Sequence, residues 1–74
     1  MDDIEDIVIQ DEYELNEDFK IRKNITLKIY NNTKYPLNRM TAMVAGRMIT
    51  NKMKLGVKYD NETEKTLDLL SQFI

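Results

Sequence analysis

The chain has 74 residues, which makes one domain. A core of that size rarely supplies more than about 3–5 kcal/mol of net stability without a staple. It contains no Cys and no His, which excludes a disulfide framework, the usual zinc sites and histidine-based catalysis, and favours a fold that a partner completes.

The net charge of −2 conceals a strong segregation. Residues 1–18 carry nine acidic side chains and no basic one, and residues 19–59 carry ten basic side chains and no acidic one. After them Asp60, Glu62, Glu64 and Asp68 face only Lys65. The economical reading is that the acidic arm folds back and neutralises the basic middle, because that pairing is intramolecular. The competing reading is an arm that meets a basic partner, or a basic middle that meets an acidic one.

The arm is too apolar for a purely solvating tail, with Ile4, Ile7, Val8, Ile9, Tyr13 and Leu15 among its carboxylates. Ile7-Val8-Ile9 is expected as a short strand and Asn16-Glu17-Asp18 as a turn. In residues 19–30, Phe19, Ile21, Ile25, Leu27 and Ile29 alternate with Lys20, Arg22, Thr26, Lys28 and Tyr30, the pattern of a half-buried strand. Lys23 breaks the parity, so a bend or hairpin is expected near Lys23-Asn24.

Pro36 suits the first turn of a helix and pushes Tyr35 out of the helical region. The helix is expected over residues 36–53. Leu37, Met40, Val44 and Met48 form one apolar stripe, and Ala42, Gly46, Ile49 and Met53 a second. Gly46 costs about 1 kcal/mol against alanine inside a helix. Two readings of it stay open: close approach of another backbone, or simple tolerance. Gly56 is a stop signal, and Leu55, Val57 and Tyr59 alternate as in a short strand. Asn61 is the expected N-cap of a second helix over 62–73, with Glu64 completing a capping box. The predicted fold class is α+β, a single domain over 1–74 with short N-terminal strands or a hairpin followed by two helices, the first long.

Nothing in the sequence is an active site. Ser71 is the only serine and has no base beside it. The carboxylates lack the glycine-turned loop of a calcium site, and two glycines make no phosphate loop. No cofactor or metal is expected, and the chain is not expected to be an enzyme. Lys20, Arg22, Lys23 and Lys28 interleaved with Phe19 and Tyr30 have the makings of a single-strand nucleic-acid surface. A solvated outer strand face explains them better, since the acidic arm opposes phosphate. No apolar run approaches the ~20 residues that span a bilayer, and no leader pattern is seen. A cytoplasmic protein is expected, and the Asn-X-Thr sequons at Asn24, Asn31 and Asn61 are read as accidents of composition.

Lys34-Tyr35, followed by Leu37, by Ala42 and Ala45 three apart, and by Met48, resembles the omega subunit of bacterial RNA polymerase. That family carries a Lys-Tyr or Arg-Phe pair, an apolar residue, two alanines three apart and a further apolar residue. Glu64-Lys65-Thr66-Leu67-Asp68-Leu69-Leu70 is similar to the family's second helix. Thr41-Ala42-Met43-Val44-Ala45-Gly46-Arg47 is similar to the homologous small subunit of archaeal and eukaryotic polymerases. The resemblance covers residues 33–74. It departs at Met43, Val44 and Gly46, where the family places basic residues, and Arg47 is displaced. The first six residues do not match the family's N-terminal segment, so no alarmone site is carried over. These departures are those of a divergent or virus-encoded homologue.

The resemblance implies a noncatalytic accessory subunit that packs its central helix on the largest RNA polymerase subunit and helps it assemble. Lys34, Tyr35, Leu37, Ala42, Ala45, Gly46 and Met48 would be the partner-binding residues. No direct nucleic-acid or membrane binding is expected, and the Ala42/Gly46 face leaves a homo-oligomer open. The alternative is a small regulator or inhibitor, of the kind viruses encode, that binds a host protein through the acidic arm.

Overall fold

The structure, a computed structural model, describes residues 4–32 and 38–74. They form four helices: α1 (Ile4–Ile7), α2 (Asn16–Asn32), α3 (Arg39–Leu55) and α4 (Asn61–Ser71). No strand occurs among the described residues. The expected α+β class is therefore corrected to all-α.

The correction falls mainly on residues 19–30. Their alternation is real on paper, but the residues that become buried are Arg22, Ile25, Thr26 and Ile29. Steps of three, one and three residues place these on one face of a helix, not on one face of a strand. Asn16-Glu17-Asp18 is not a turn but the start of α2, where Glu17 and Asp18 complement the helix dipole. Ile7-Val8-Ile9 is not a strand, since Ile7 closes the single turn of α1.

The other boundaries shift by a few residues. The long helix is described from Arg39, where Asn38 caps it by accepting the Thr41 N–H at 2.7 Å, and the expected start at Pro36 lies outside the described residues. It runs to Leu55, past the expected end at Met53. Gly56 then takes a left-handed φ of 66° and donates its N–H to the Lys52 carbonyl at 3.1 Å. Leu55, Val57 and Tyr59 make no strand. Asp60, not Asn61, caps α4 through the Thr63 N–H at 2.8 Å. Glu64 reaches back to the Tyr59 N–H at 2.9 Å and pairs with Lys52, which ties the α3–α4 connection to both helices.

Helices α2 and α3 run antiparallel. Lys54 near the end of α3 lies 3.6 Å from Asp18 at the start of α2, and Thr26 meets Gly46 midway. The approach there is backbone to backbone. A Cβ at Gly46 would overlap the Thr26 hydroxyl and sit 3.1 Å from the Thr26 Cα. Close packing is therefore the correct reading of Gly46. Both threonines at the crossing are satisfied within their own helices: Thr26 Oγ1 donates to the Arg22 carbonyl at 2.8 Å, and Thr50 Oγ1 to the Gly46 carbonyl at 2.7 Å.

Two apolar clusters flank the crossing. The larger joins Ile25 and Ile29 of α2, Ala45 and Ile49 of α3, and Leu67 and Leu70 of α4. The smaller joins Ile4 and Val8 of the arm to Ala42 of α3, with Phe19, Leu27, Tyr30 and Met43 packed around them. Each buried aliphatic contributes about 1.5–3 kcal/mol relative to exposure.

Gly46→Ala should thus destabilise the fold despite alanine's better helix propensity. We expect a loss of about 1–3 kcal/mol, read as a lower urea midpoint at unchanged slope. Adding Thr26→Ala should recover part of that loss. A neutral or stabilising Gly46→Ala would mean that the two backbones are not in contact.

Candidate functional site

Helix α3 carries two apolar faces, and the chain uses one of them itself. Ala42, Ala45, Gly46 and Ile49 are buried against α2 and its neighbours. Of the seven residues that the sequence nominates for partner binding, these three small ones are thus already packed inside the domain. A partner reaches Ala42 and Gly46 only where something else moves away, whereas Ala45 keeps one edge on the α3–α4 groove. Met48 is half-buried beside the larger cluster. Lys34, Tyr35 and Leu37 lie outside the described residues.

The opposite face of α3 is open. Met40 is 74% exposed and Val44 53% exposed. Beside Val44 a groove of about 310 Å³ lies between α3 and α4. Ala45, Met48, Leu67 and Leu70 line it from below, with Thr63 and Thr66 along the α4 rim. Met40 and Val44 were legible as members of an apolar stripe. That this stripe is the outward one follows only from where α2 docks.

The acidic arm forms the second notable surface. Arg22 opens the buried stripe of α2, and its side chain is 3% exposed. Its Nε donates to Glu14 Oε2 at 2.9 Å, and its Nη2 to Glu14 Oε1 at 2.8 Å and to the Ile9 carbonyl at 2.7 Å. This is a two-pronged fork on one carboxylate. The guanidinium carbon also sits 5.4 Å from the centre of the Phe19 ring, within cation–π range. Nearby, Arg47 holds Asp11 through two contacts of 2.5 and 3.2 Å. Gln10 stiffens the loop by donating to the Glu14 carbonyl and to Asn16 Oδ1, each at 2.8 Å.

The arm therefore lies back on the basic helices. Glu14 and Asp11 are held ionised: the Arg22 fork keeps Glu14 below its ordinary value of 4.5, and the Arg47 hydrogen bond keeps Asp11 below 3.8. Asp6, Glu12 and Glu17 remain exposed, and Asp2 and Asp3 lie outside the described residues. Arg22 also loses its candidate role in a nucleic-acid surface, because it points inward. Sequence reasoning missed it as a clamp. The available signal was a cation inside the helical stripe 22, 25, 26 and 29, downstream of an arm without cations.

Among the described residues, no group of acidic side chains is placed to hold a metal ion, and no helix is long and apolar enough to cross a membrane. No family model, curated protein or solved structure matches this chain. The resemblance to the omega family rests on its residues alone.

The sign of the acid response follows from the lowered carboxylates. Their stabilisation is full above the unfolded carboxylate values and is lost as pH falls through the lower folded values. We expect the urea midpoint to hold steady near neutrality and to drop below about pH 4. In Glu14→Gln the midpoint should start lower and drop less on acidification. Equal drops in both proteins would remove the Arg22–Glu14 pair from this account.

Proposed function

We propose that the chain is a noncatalytic accessory subunit that binds a larger protein through the outward face of α3 and the adjoining face of α4. Its partner in this proposal is the largest subunit of a multisubunit RNA polymerase, which the chain helps to assemble. The observation that carries the reading is the exposure of Val44 along an apolar groove that Met48, Leu67 and Leu70 also line. A large part of that groove falls in the segments that resemble the omega family. Contiguous apolar surface rimmed by polar residues is what protein-binding sites present.

The proposal moves the contact away from the small residues. Ala42, Ala45 and Gly46 shape the helix pair from inside, and Val44, Met48 and Met40 meet the partner. Lys34, Tyr35 and Leu37 stay in the proposal on the strength of the resemblance. The acidic-arm regulator is the weaker proposal, since Glu14 and Asp11 direct their charge into the chain.

Substituting arginine at Ala42 or Ala45 is a poor test, because it would force the core apart. Val44→Arg, alone and with Met40→Glu, changes exposed positions only. In a tagged pull-down of the full chain from its native source, the large polymerase subunits should be recovered with the parent chain. Recovery should fall about tenfold or more for the variants, the effect of ~1.4 kcal/mol or more at a binding hot spot. Helical circular dichroism should not change. Recovery of the polymerase at undiminished yield would move the interface elsewhere, and absence of polymerase from the parent pull-down would end the reading.

A further inference from the structure

We infer that the N-terminal arm is a displaceable strap, and that the groove under it receives a partner segment of the strap's own chemistry. The occupant is an acidic, amphipathic turn with two aliphatic side chains four residues apart and a carboxylate further on. This does not rest on the polymerase reading.

The argument starts from how the strap is attached. Ile4 and Val8 are buried against Ala42, with Phe19, Leu27, Tyr30 and Met43 forming the walls. Glu14 and Asp11 then fasten the following loop to Arg22 and Arg47. The arm's own backbone bond, from the Glu14 N–H to the Asp11 carbonyl, closes a turn within it. These ties are therefore two buried aliphatic side chains, two ion pairs and the Ile9 carbonyl that accepts from Arg22, a set that another segment can reproduce.

The second step is that the body does not need the strap. The cluster that holds α2, α3 and α4 together is Ile25, Ile29, Ala45, Ile49, Leu67 and Leu70. It shares no member with the cluster of Ile4, Val8 and Ala42. Lifting the strap leaves the larger cluster intact, so opening is sub-global. It also leaves no charge buried without a partner. Glu14 departs with the strap, and Arg22 gains the water that the strap kept away.

The third step is what the opening reveals. Ala42 has no exposed surface while the strap is down. With the strap lifted, Ala42 and Met43 line a shallow apolar trough that ends at the Arg22 guanidinium. The strap is the template for what fits there: aliphatic groups for the trough and a carboxylate for the fork. It acts as an intramolecular competitor, and a partner binds in proportion to the open fraction.

The absence of cysteine makes the test clean. The thiol introduced by Val8→Cys reports strap opening, and the thiol introduced by Ile49→Cys reports opening of the main cluster. The first should react about tenfold faster or more than the second, and Glu14→Gln should accelerate it while keeping it the faster of the two. Equal rates that move together would overturn the strap. The probe for the trough is a synthetic peptide of residues 1–15, which brings its own Glu14. It should bind the Glu14→Gln chain about tenfold or more tighter than the parent, since apparent affinity scales with the open fraction. The same peptide with Asp at Ile4 and Val8 should not bind. Absence of binding, or equal binding to both chains, would overturn the proposal. Concentration-dependent dimers of the Glu14→Gln chain in place of peptide binding would assign the trough to a second copy and overturn it as well.

Discussion

The close crossing of α2 and α3 at Thr26 and Gly46 sets the geometry of everything else. A glycine in mid-helix weakens that helix, so it must be offset by what the missing side chain permits. Here it permits backbone contact, and Ala42 and Ala45 on the same side extend the contact along α3. The crossing fixes the rotation of α3 about its own axis. Once its small residues face α2, Met40 and Val44 must face away. The open groove with α4 is therefore a consequence of the crossing and not an independent feature.

The second constraint is a buried cation in a very small core. Taking Arg22 out of water is expensive unless its donors are matched. The structure matches them with the Glu14 fork, the Ile9 carbonyl and the Phe19 ring. All of the polar partners come from the arm. An apolar residue at position 22 would pack the arm without regard to register. A guanidinium demands one carboxylate at one place, so it sets where residues 9–14 lie. The segregation of charge along the chain is the sequence-level form of the same fact: an arm without cations cannot satisfy itself and must pair with the helices.

How much of this was legible in the sequence differs by element. Helix α3 was legible because its buried side consists of Ala42, Ala45 and Ile49, apolar at helical spacing, and because Gly56 gives a clear stop. Helix α2 was misread as a strand for a physical reason. Two of its four buried positions are Arg22 and Thr26, which a hydropathy pattern counts as outward. With them removed, Phe19, Ile21, Ile25, Leu27 and Ile29 mimic a period of two. Only a partner for Arg22 and a glycine opposite Thr26 make those positions internal, and neither is a local property of residues 19–30. The caps were misplaced by smaller margins, because Asp60 competes with an equally good neighbour, Asn61, and Pro36 draws the expected start of α3 ahead of Asn38. Fold-back of the arm was legible as a charge total. Which carboxylates would pair was not, since that depends on the crossing.

The candidate site shows the same split between composition and placement. Exposed apolar residues are common on any small domain and mean little singly. Tyr13, Leu15 and Leu55 are of that kind. Val44 differs because it continues into a floor of Ala45, Met48, Leu67 and Leu70 that is apolar but not closed over. Methionine on a binding face adapts its shape to what it meets. Met40, Met43 and Met48 mark both edges of α3, Met40 and Met43 on the side of the strap and Met48 in the groove. The helix that builds the core thus also offers an adaptable edge on either side of it. The strap covers one edge, so a partner that displaces it and also fills the α4 groove would grip α3 from both sides. The Gly46 crossing would stay untouched, because α2 holds the third side.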